Sequence, residues 1–541
     1  MKSTIKNTSK GERKMKKWLK NAIFYEIYPQ SFKDSNADGI GDFNGIIEKL
    51  DYIKDMGFTA IWMNPCFKSP FADAGYDIED FYSTAPRYGT NEDLKRLFEE
   101  VHKRDMHIIL DLVPGHTSVE CKWFKESMRD EKNEYSDRYI WTDNIWTDCA
   151  GYPNISGSIR GISARNGSCA VNFFSTQPAL NYGFAKVTEP WQSSVDSKEA
   201  LNTREELYKI IRFWLQMGCD GFRVDMAGSL VKADEEKRET IKLWQDILGR
   251  INKEFPDAAF VSEWGEPDKS LEGGFDMDFL LHFGPSHYPE LFRGETPYFS
   301  HSGGGNLSEF FEYYMSCLKK TEGKGFICLP SGNHDMERIS DKLDEPEIKL
   351  AFAFIMSMPG IPFVYYGDEI GMHYIKELKS VEGGFNRTGS RTPMQWDDST
   401  NDGFSTAAPE RLYITMDNCD DRPTVKKQKA DEDSILNELK RLIRIRKANQ
   451  ALQESAAFEP VFIKESAYPL VYKRVGEDES ILVAINPTDK ECTCVFDGKV
   501  GDTIYSFNGK AFVKDNTLTV PPCSASYIFS EDKGLIEPQK K

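Results

Sequence analysis

Polar side chains recur where apolar runs stop. Asp111 and His116 follow HIILDLV, Arg223 and Asp225 end CDGFRVD, Glu263 ends AAFVSEW, and His334 and Asp335 follow GFICLPS. Taken singly, each reads as a cap or a solvated loop group. Brought to one mouth, they amount to several carboxylates, an arginine and two histidines, with no zinc-type ligand cluster. That set suits cleavage of a glycosidic bond, in which one carboxyl must stay protonated while another stays ionised. Arg223 and Asp225 stand two apart, so strand alternation points both to one side, and the cation is expected to keep Asp225 charged and nucleophilic. Glu263, with no cation beside it in sequence, is then expected to be the acid.

The elements that must position these groups are legible as a repeating unit. AIFYEIYP, TAIWMN, HIILDLV, CDGFRVD, AAFVSEW, FDMDFLL, GFICLPS and IPFVYYG read as strands, and stretches such as NEDLKRLFEEVHKR and ELYKIIRFWLQMG between them carry helical periodicity. The fold class predicted is α/β, a (β/α)8 TIM barrel over residues 1–113 and 187–454. Residues 114–186, rich in Asn, Ser and Gly, are too long for a plain loop and predict an inserted subdomain after strand 3, roofing the barrel mouth. From 455 to 541 the pattern changes to short runs, LVYKRV, SILVAINP, TCVFDG, TIYSF and SYIFS, which predict a C-terminal antiparallel β-domain, a β-sandwich. The tail DKGLIEPQKK is expected to fray.

Composition narrows the partners. A chain of 541 residues, 40% hydrophobic and 28% charged, can bury a large core. Its net charge of -18 opposes nucleic acid and anionic membranes, and a neutral substrate fits better. The basic N-terminal stretch leads into no apolar run of signal-peptide length, so a cytoplasmic protein is expected. The eleven cysteines, including Cys492 and Cys494 in a strand-like run, read as reduced structural thiols. A monomer or weak homo-oligomer is expected.

DLVPGH, GFRVD, FVSEW and SGNHD together make the chain resemble glycoside hydrolase family 13, the α-amylase family, from about Trp18 into the C-terminal β-domain. The resemblance implies Asp225 as nucleophile, Glu263 as general acid/base and Asp335 as the group that binds the distorted sugar. It further implies that Asp73 and Tyr76 grip and stack on a terminal glucose, that His116 and His334 donate to its hydroxyls, that Gln177 lines the pocket, and that Arg223 serves the nucleophile's charge. RTPMQW is similar to the oligo-1,6-glucosidase and trehalose-synthase branch, where the arginine matching Arg391 would close the pocket with Asp73 and favour exo-cleavage of short α-glucosides. Arg387 is left between a pocket role and a surface salt bridge. Glu266 reads as an ordinary loop carboxylate, and Phe173 and Phe174 as stacking or core residues.

Departures from the family pattern qualify this. DMAGSL lacks the Lys-His pair of endo-amylases, which argues against endo action. Gly115 and Ala179 replace the Asn and Asp that serve the amylases' interdomain calcium, whose site is expected to be absent. Met226 after the nucleophile matches neither 1,4- nor 1,6-cleaving relatives, leaving linkage open. DSNADGIGD spaces Asp34, Asn36, Asp38, the Ile40 carbonyl and Asp42 as oxygen ligands, and relatives in this branch bind calcium there, so a structural Ca²⁺ is expected. A transglucosidase or trehalose-synthase-like isomerase would share the glucosyl-enzyme intermediate. A non-catalytic barrel that escorts membrane transporters is opposed by the intact carboxylate set.

Overall fold

A computed structural model describes residues 15–281, 284–321, 323–383 and 387–531. The start of the basic N-terminal stretch and the tail DKGLIEPQKK lie outside the described residues. Eight parallel strands close into a barrel: β1 (Phe24–Ile27), β2 (Ala60–Met63), β3 (His107–Leu112), β4 (Gly221–Val224), β5 (Ala259–Ser262), β6 (Met277–Phe279), β7 (Phe326–Pro330) and β8 (Ile361–Tyr365), each hydrogen-bonded to its sequence neighbour and β8 to β1. All eight lie in the apolar runs read as strands. They are continuous apolar runs because both faces of a parallel barrel are covered. Inward, Phe24, Trp62, Val261, Met277, Phe279 and Phe363 fill the barrel, with Leu19 and Ala22 joining the cluster from the N-terminal side. Outward, Tyr25, Ile61, Leu110, Phe222 and Phe260 meet the helices.

The helices begin and end where local chemistry requires. After helix α1 (Phe43–Met56), helix α2 (Asn91–His102) starts at a capping box in which Thr90 and Asp93 satisfy each other's backbone N–H. Its buried residues Leu94, Leu97, Phe98 and Val101 follow the one-face spacing, each contributing about 2 kcal/mol of burial. Helix α3 (Lys198–Met217) is capped by Ser197 and stops at Gly218, whose φ of 116° only glycine adopts without strain.

Between β3 and β4 the chain carries a short helix, Lys122–Ser127, and a two-stranded sheet pairing Gly157–Ile159 with Cys169–Val171. An antiparallel bridge, His116 to Ala179, returns this segment to the barrel mouth. The C-terminal part is two antiparallel sheets: β9 (Ala457–Phe462), β10 (Leu470–Val475), β11 (Ser480–Asn486), β16 (Ser524–Ser530) and β13 (Val500–Phe507) in one; β12 (Cys492–Val495), β15 (Thr517–Val520) and β14 (Phe512–Lys514) in the other. Alternation explains the order of layers: Ile481, Val483 and Ile485 of β11 face the main core, whereas Leu482 and Ala484 face the smaller sheet. Strand β9 escaped the sequence reading because it is an exposed edge carrying Glu459 and Pro460. All eleven cysteines are free thiols, and among the described residues no helix is long and apolar enough to cross a membrane.

Candidate active site

Strand register brings the charged groups together. Asp111 on β3 pairs in register with Arg223 on β4, and both side chains point into the barrel. The Arg223 guanidinium donates from Nη1 to Asp111 Oδ1 (2.9 Å) and Asp225 Oδ1 (3.0 Å), and from Nη2 to Glu263 Oε1 (2.8 Å). Glu263 has no cation beside it in sequence, but one reaches it from the adjacent strand: a single planar fork serves both carboxylates, so Arg223 does not choose between them. Burial and the charge of Glu263 push the Asp225 carboxyl well above the usual range despite the arginine. The arginine alone therefore does not outweigh burial and the neighbouring carboxylate at Asp225, against the expectation that it keeps this group charged. Met226, at φ 43°, turns its backbone N–H onto Glu263 Oε2 (3.1 Å), a left-handed conformation that costs about 1–2 kcal/mol in a non-glycine residue.

A second charged layer stands opposite. Asp335 Oδ1 accepts from Arg387 Nη1 (2.5 Å) and Arg391 Nη2 (2.9 Å), and Oδ2 lies 3.2 Å from His334 Nε2. Burial would raise this carboxyl, but His334, Arg387 and Arg391 hold it well below the usual range. His334 is fully buried, and burial alone would lower its pKa. The Asp335 and Glu26 carboxylates on either side overcome this and bring it to about 9. Its Nδ1 donates to Glu26 Oε1 (2.9 Å), and its Nε2 also lies 2.7 Å from the Tyr76 hydroxyl, which donates to Asp111 Oδ2 (3.0 Å). His334 thus stands behind Tyr76 and Asp335 with both nitrogens engaged by protein groups.

The pocket is closed by a different arginine from the one expected. Arg387 Nη2 donates to Asp73 Oδ1 (2.6 Å), and Gln177 Nε2 to Asp73 Oδ2 (2.6 Å), so Arg387 bridges Asp73 and Asp335. Arg391 lies behind it, donating to Glu382 Oε2 (3.1 Å) and the His334 carbonyl (2.8 Å). The resulting cavity, about 650 Å³, has Asp73, Tyr76, His116 and Gln177 around its closed end, and Asp225, Glu263 and Asp335 exposed to it. That volume is ordinary for a small-molecule site. His116 is neutral, burial lowering its pKa to about 4, and its Nε2 donates to the Tyr76 carbonyl (3.0 Å). Phe173, Trp264, Leu281, Lys237 and Glu266 line the outer part. Glu266, read from the sequence as an ordinary loop carboxylate, is therefore a mouth residue, held by Lys269 (2.6 Å) and Trp264 Nε1 (3.2 Å).

Several participants escaped the sequence reading. Glu26 on β1 and Asn64 after β2, which donates to Glu26 Oε1 at 3.1 Å, are polar groups at strand ends, so the rule that found Asp111 reaches them too. Asp278 on β6 faces outward, and burial pushes it up to about 8. Lys232 is buried without a carboxylate. Its Nζ donates to the carbonyls of Asn154 (2.8 Å) and Ser229 (3.0 Å) and to Asn172 Oδ1 (3.2 Å), tying the inserted segment to the loop after β4, and burial lowers its pKa to about 7. No sequence spacing announces that contact.

The loop from Asp34 to Asp42 is organised by its own backbone. Asp34 Oδ1 accepts from Asn36 and Ala37 N–H, and Oδ2 from Gly39 N–H and Ser405 Oγ, while Asp42 caps α1 by accepting from Gly45 N–H. Backbone dipoles thus answer the repulsion among these carboxylates. The donor set is all oxygen, which suits a hard cation, although Asp34 must release a donor to bind one.

Comparison with known proteins agrees with this geometry. The family model described as the alpha amylase catalytic domain matches residues 26–455. The chain is 31% identical to the glucan 1,6-alpha-glucosidase of Streptococcus pneumoniae serotype 4, over 93% of this chain and 98% of that protein. It is 30% identical to the oligo-1,6-glucosidase of Parageobacillus thermoglucosidasius, over 87% and 91%. Among solved structures, a mutant isomaltulose synthase from Erwinia rhapontici NX5 with its natural substrate sucrose superposes with TM-score 0.78 at 26% identity, covering 95% of this chain and 99% of that one. With the catalytic-domain model spanning most of the sequence and these relatives matched almost end to end, the chain belongs to the α-amylase family.

Proposed function

We propose that this chain is a retaining, exo-acting α-glucosidase that hydrolyses α-1,4 and/or α-1,6 bonds of short malto- or isomalto-oligosaccharides. The observation that carries this reading is the Asp73–Arg387–Asp335 bridge at the closed end of a cavity whose floor holds Asp225 and Glu263. Such an end admits a terminal glucose and stops a continuing chain. Glu263 protonates the leaving oxygen while Asp225 attacks the anomeric carbon, giving a covalent β-glucosyl enzyme. Glu263 then takes a proton from water, which releases α-glucose with retention. Arg223 offsets the charge of the pair, and Asp335, kept ionised by its three cationic neighbours, binds hydroxyls of the distorted ring. The relatives named as 1,6-glucosidases support the substrate class.

Transfer to a sugar acceptor is the second reading, favoured by the apolar mouth of Phe173, Trp264 and Leu281, which can exclude water, and by the likeness to an isomaltulose synthase. Glucose release and product analysis from maltose, isomaltose, panose, trehalose, sucrose and soluble starch, with Asp225→Asn alongside, tests both. Glucose from short sugars, little from starch and none from the variant supports hydrolysis at a closed pocket. Rearranged or lengthened saccharides support transfer, and fast starch depolymerisation overturns the closed pocket.

The reading is of a monomer or weak homo-oligomer, and the free thiols suit a cytoplasmic setting. We also propose that Asp34, Asn36, Asp38, the Ile40 carbonyl and Asp42 hold a structural calcium ion. Exhaustive chelation should lower the melting temperature and added Ca²⁺ restore it; an unchanged temperature overturns the assignment.

A further inference from the structure

Strand alternation points Glu263 into the barrel and its neighbour Ser262 outward, toward the helices. Directly beside Ser262 in the sheet register stands Asp278 of β6, also outward and fully buried. Its Oδ1 accepts from Ser262 Oγ (2.7 Å) on one side of Glu263 and from Trp264 N–H (3.1 Å) on the other. After helix α4 (Arg238–Glu254) comes the short helix α5 (Pro267–Gly273), where Ser270 Oγ lies 2.5 Å from Ser262 Oγ. No arginine or lysine contacts Asp278 in any ion pair among the described residues, so the group is not a charge partner; it is an acceptor for the backbone that carries Glu263. A buried carboxyl without a cation is costly in a barrel wall where an apolar residue would fit the strand, and the hydrogen bonds to Ser262 and Trp264, the two residues flanking Glu263, are what its presence secures.

We propose that Asp278 is the positioning residue for the general acid, clamping the β5 terminus so that the Glu263 carboxyl meets the leaving oxygen. This inference rests on the reading of Glu263 as acid/base. Burial raises the Asp278 carboxyl to about 8, so near neutral pH it carries its proton and still accepts at Oδ1. An amide, which also accepts there, is accordingly the conservative replacement, whereas a methyl group is not.

The test exploits the leaving group. α-Glucosyl fluoride departs without protonation, whereas maltose and isomaltose need the acid, and kcat/KM reports the glycosylation step for all three. Asp278→Ala should lose about 100-fold in kcat/KM on the disaccharides, within the range general acids contribute, and only a few-fold on the fluoride. Asp278→Asn should restore most of the loss. Ser262→Ala, which removes one anchor and keeps Asp278, should give a smaller loss with the same leaving-group bias and serves if Asp278→Ala does not fold. An equal loss on fluoride and disaccharides, or no loss, overturns the positioning role. Glu263→Gln is the separate control: full disaccharide hydrolysis by that variant would overturn the functional reading itself, while loss on disaccharides with fluoride cleavage retained leaves the Asp278 outcome decisive.

Discussion

Arg387→Ala should convert a closed pocket into an open one. Its guanidinium spans Asp73 (2.6 Å) and Asp335 (2.5 Å), with the arginine side chain 13% exposed and that of Asp73 6%. Removing one partner of a fully buried ion pair costs roughly 3–5 kcal/mol. Partial exposure discounts this, and Asp73 keeps Gln177 while Asp335 keeps Arg391 and His334, so about 3 kcal/mol is expected in the bound complex. At about 1.4 kcal/mol per decade, kcat/KM on maltose and isomaltose should fall by about two orders of magnitude. Soluble starch should be affected less, because a chain can now run past Asp73, and the starch-to-maltose ratio should rise. Arg387→Lys should not rescue the short sugars, since an ammonium cannot span two carboxylates as a planar fork does. Steady-state kinetics on the three substrates suffices. Unchanged rates on short sugars would refute the reasoning, and so would an equal fall on starch.

His334, raised from 6.5 to about 9 between Glu26 and Asp335, should contribute on the order of 3 kcal/mol of stability. Its folded pKa lies above its unfolded value, so the contribution is complete below about pH 6.5 and is lost as pH rises through 9. His334→Gln should therefore flatten the alkaline decline in melting temperature, and an unaltered slope between those pH values counts against an imidazolium there. Lys232→Met should leave the Asn154 and Ser229 carbonyls unpaired and destabilise by about 2–4 kcal/mol, with early proteolysis in the inserted segment. Uniform resistance to protease in that variant would show the ammonium to be dispensable.

The barrel is readable because its strands are short, mostly apolar runs with polar residues at or near their ends, and a strand end in such a fold faces the site. Asp111, Asp225, Glu263 and Asp335 were found by that rule, and it extends to Glu26. What distances along the chain cannot carry is the geometry across strands. Arg223 looked like a partner of Asp225 because the two are neighbours in sequence, whereas its fork also reaches Glu263 from the adjacent strand. Arg387 and Arg391, four residues apart on one loop, are indistinguishable by composition; only the path of that loop sends one to Asp73 and the other to Glu382. Asp278 sits in a run that reads as plain strand, and its value comes from facing Ser262 across the register. Lys232 was hidden for the same reason, since its acceptors come from segments some sixty and eighty positions away.

The central claim is a covalent glucosyl enzyme on Asp225, made with help from Glu263. Glu263→Gln incubated with α-glucosyl fluoride should form this intermediate without needing an acid and then stall for lack of a base. Peptide mapping by mass spectrometry should find one hexosyl unit on the peptide containing Asp225, and none when Asp225→Asn is added. A label on another carboxylate, or none while fluoride is still released in repeated turnovers, would contradict the account.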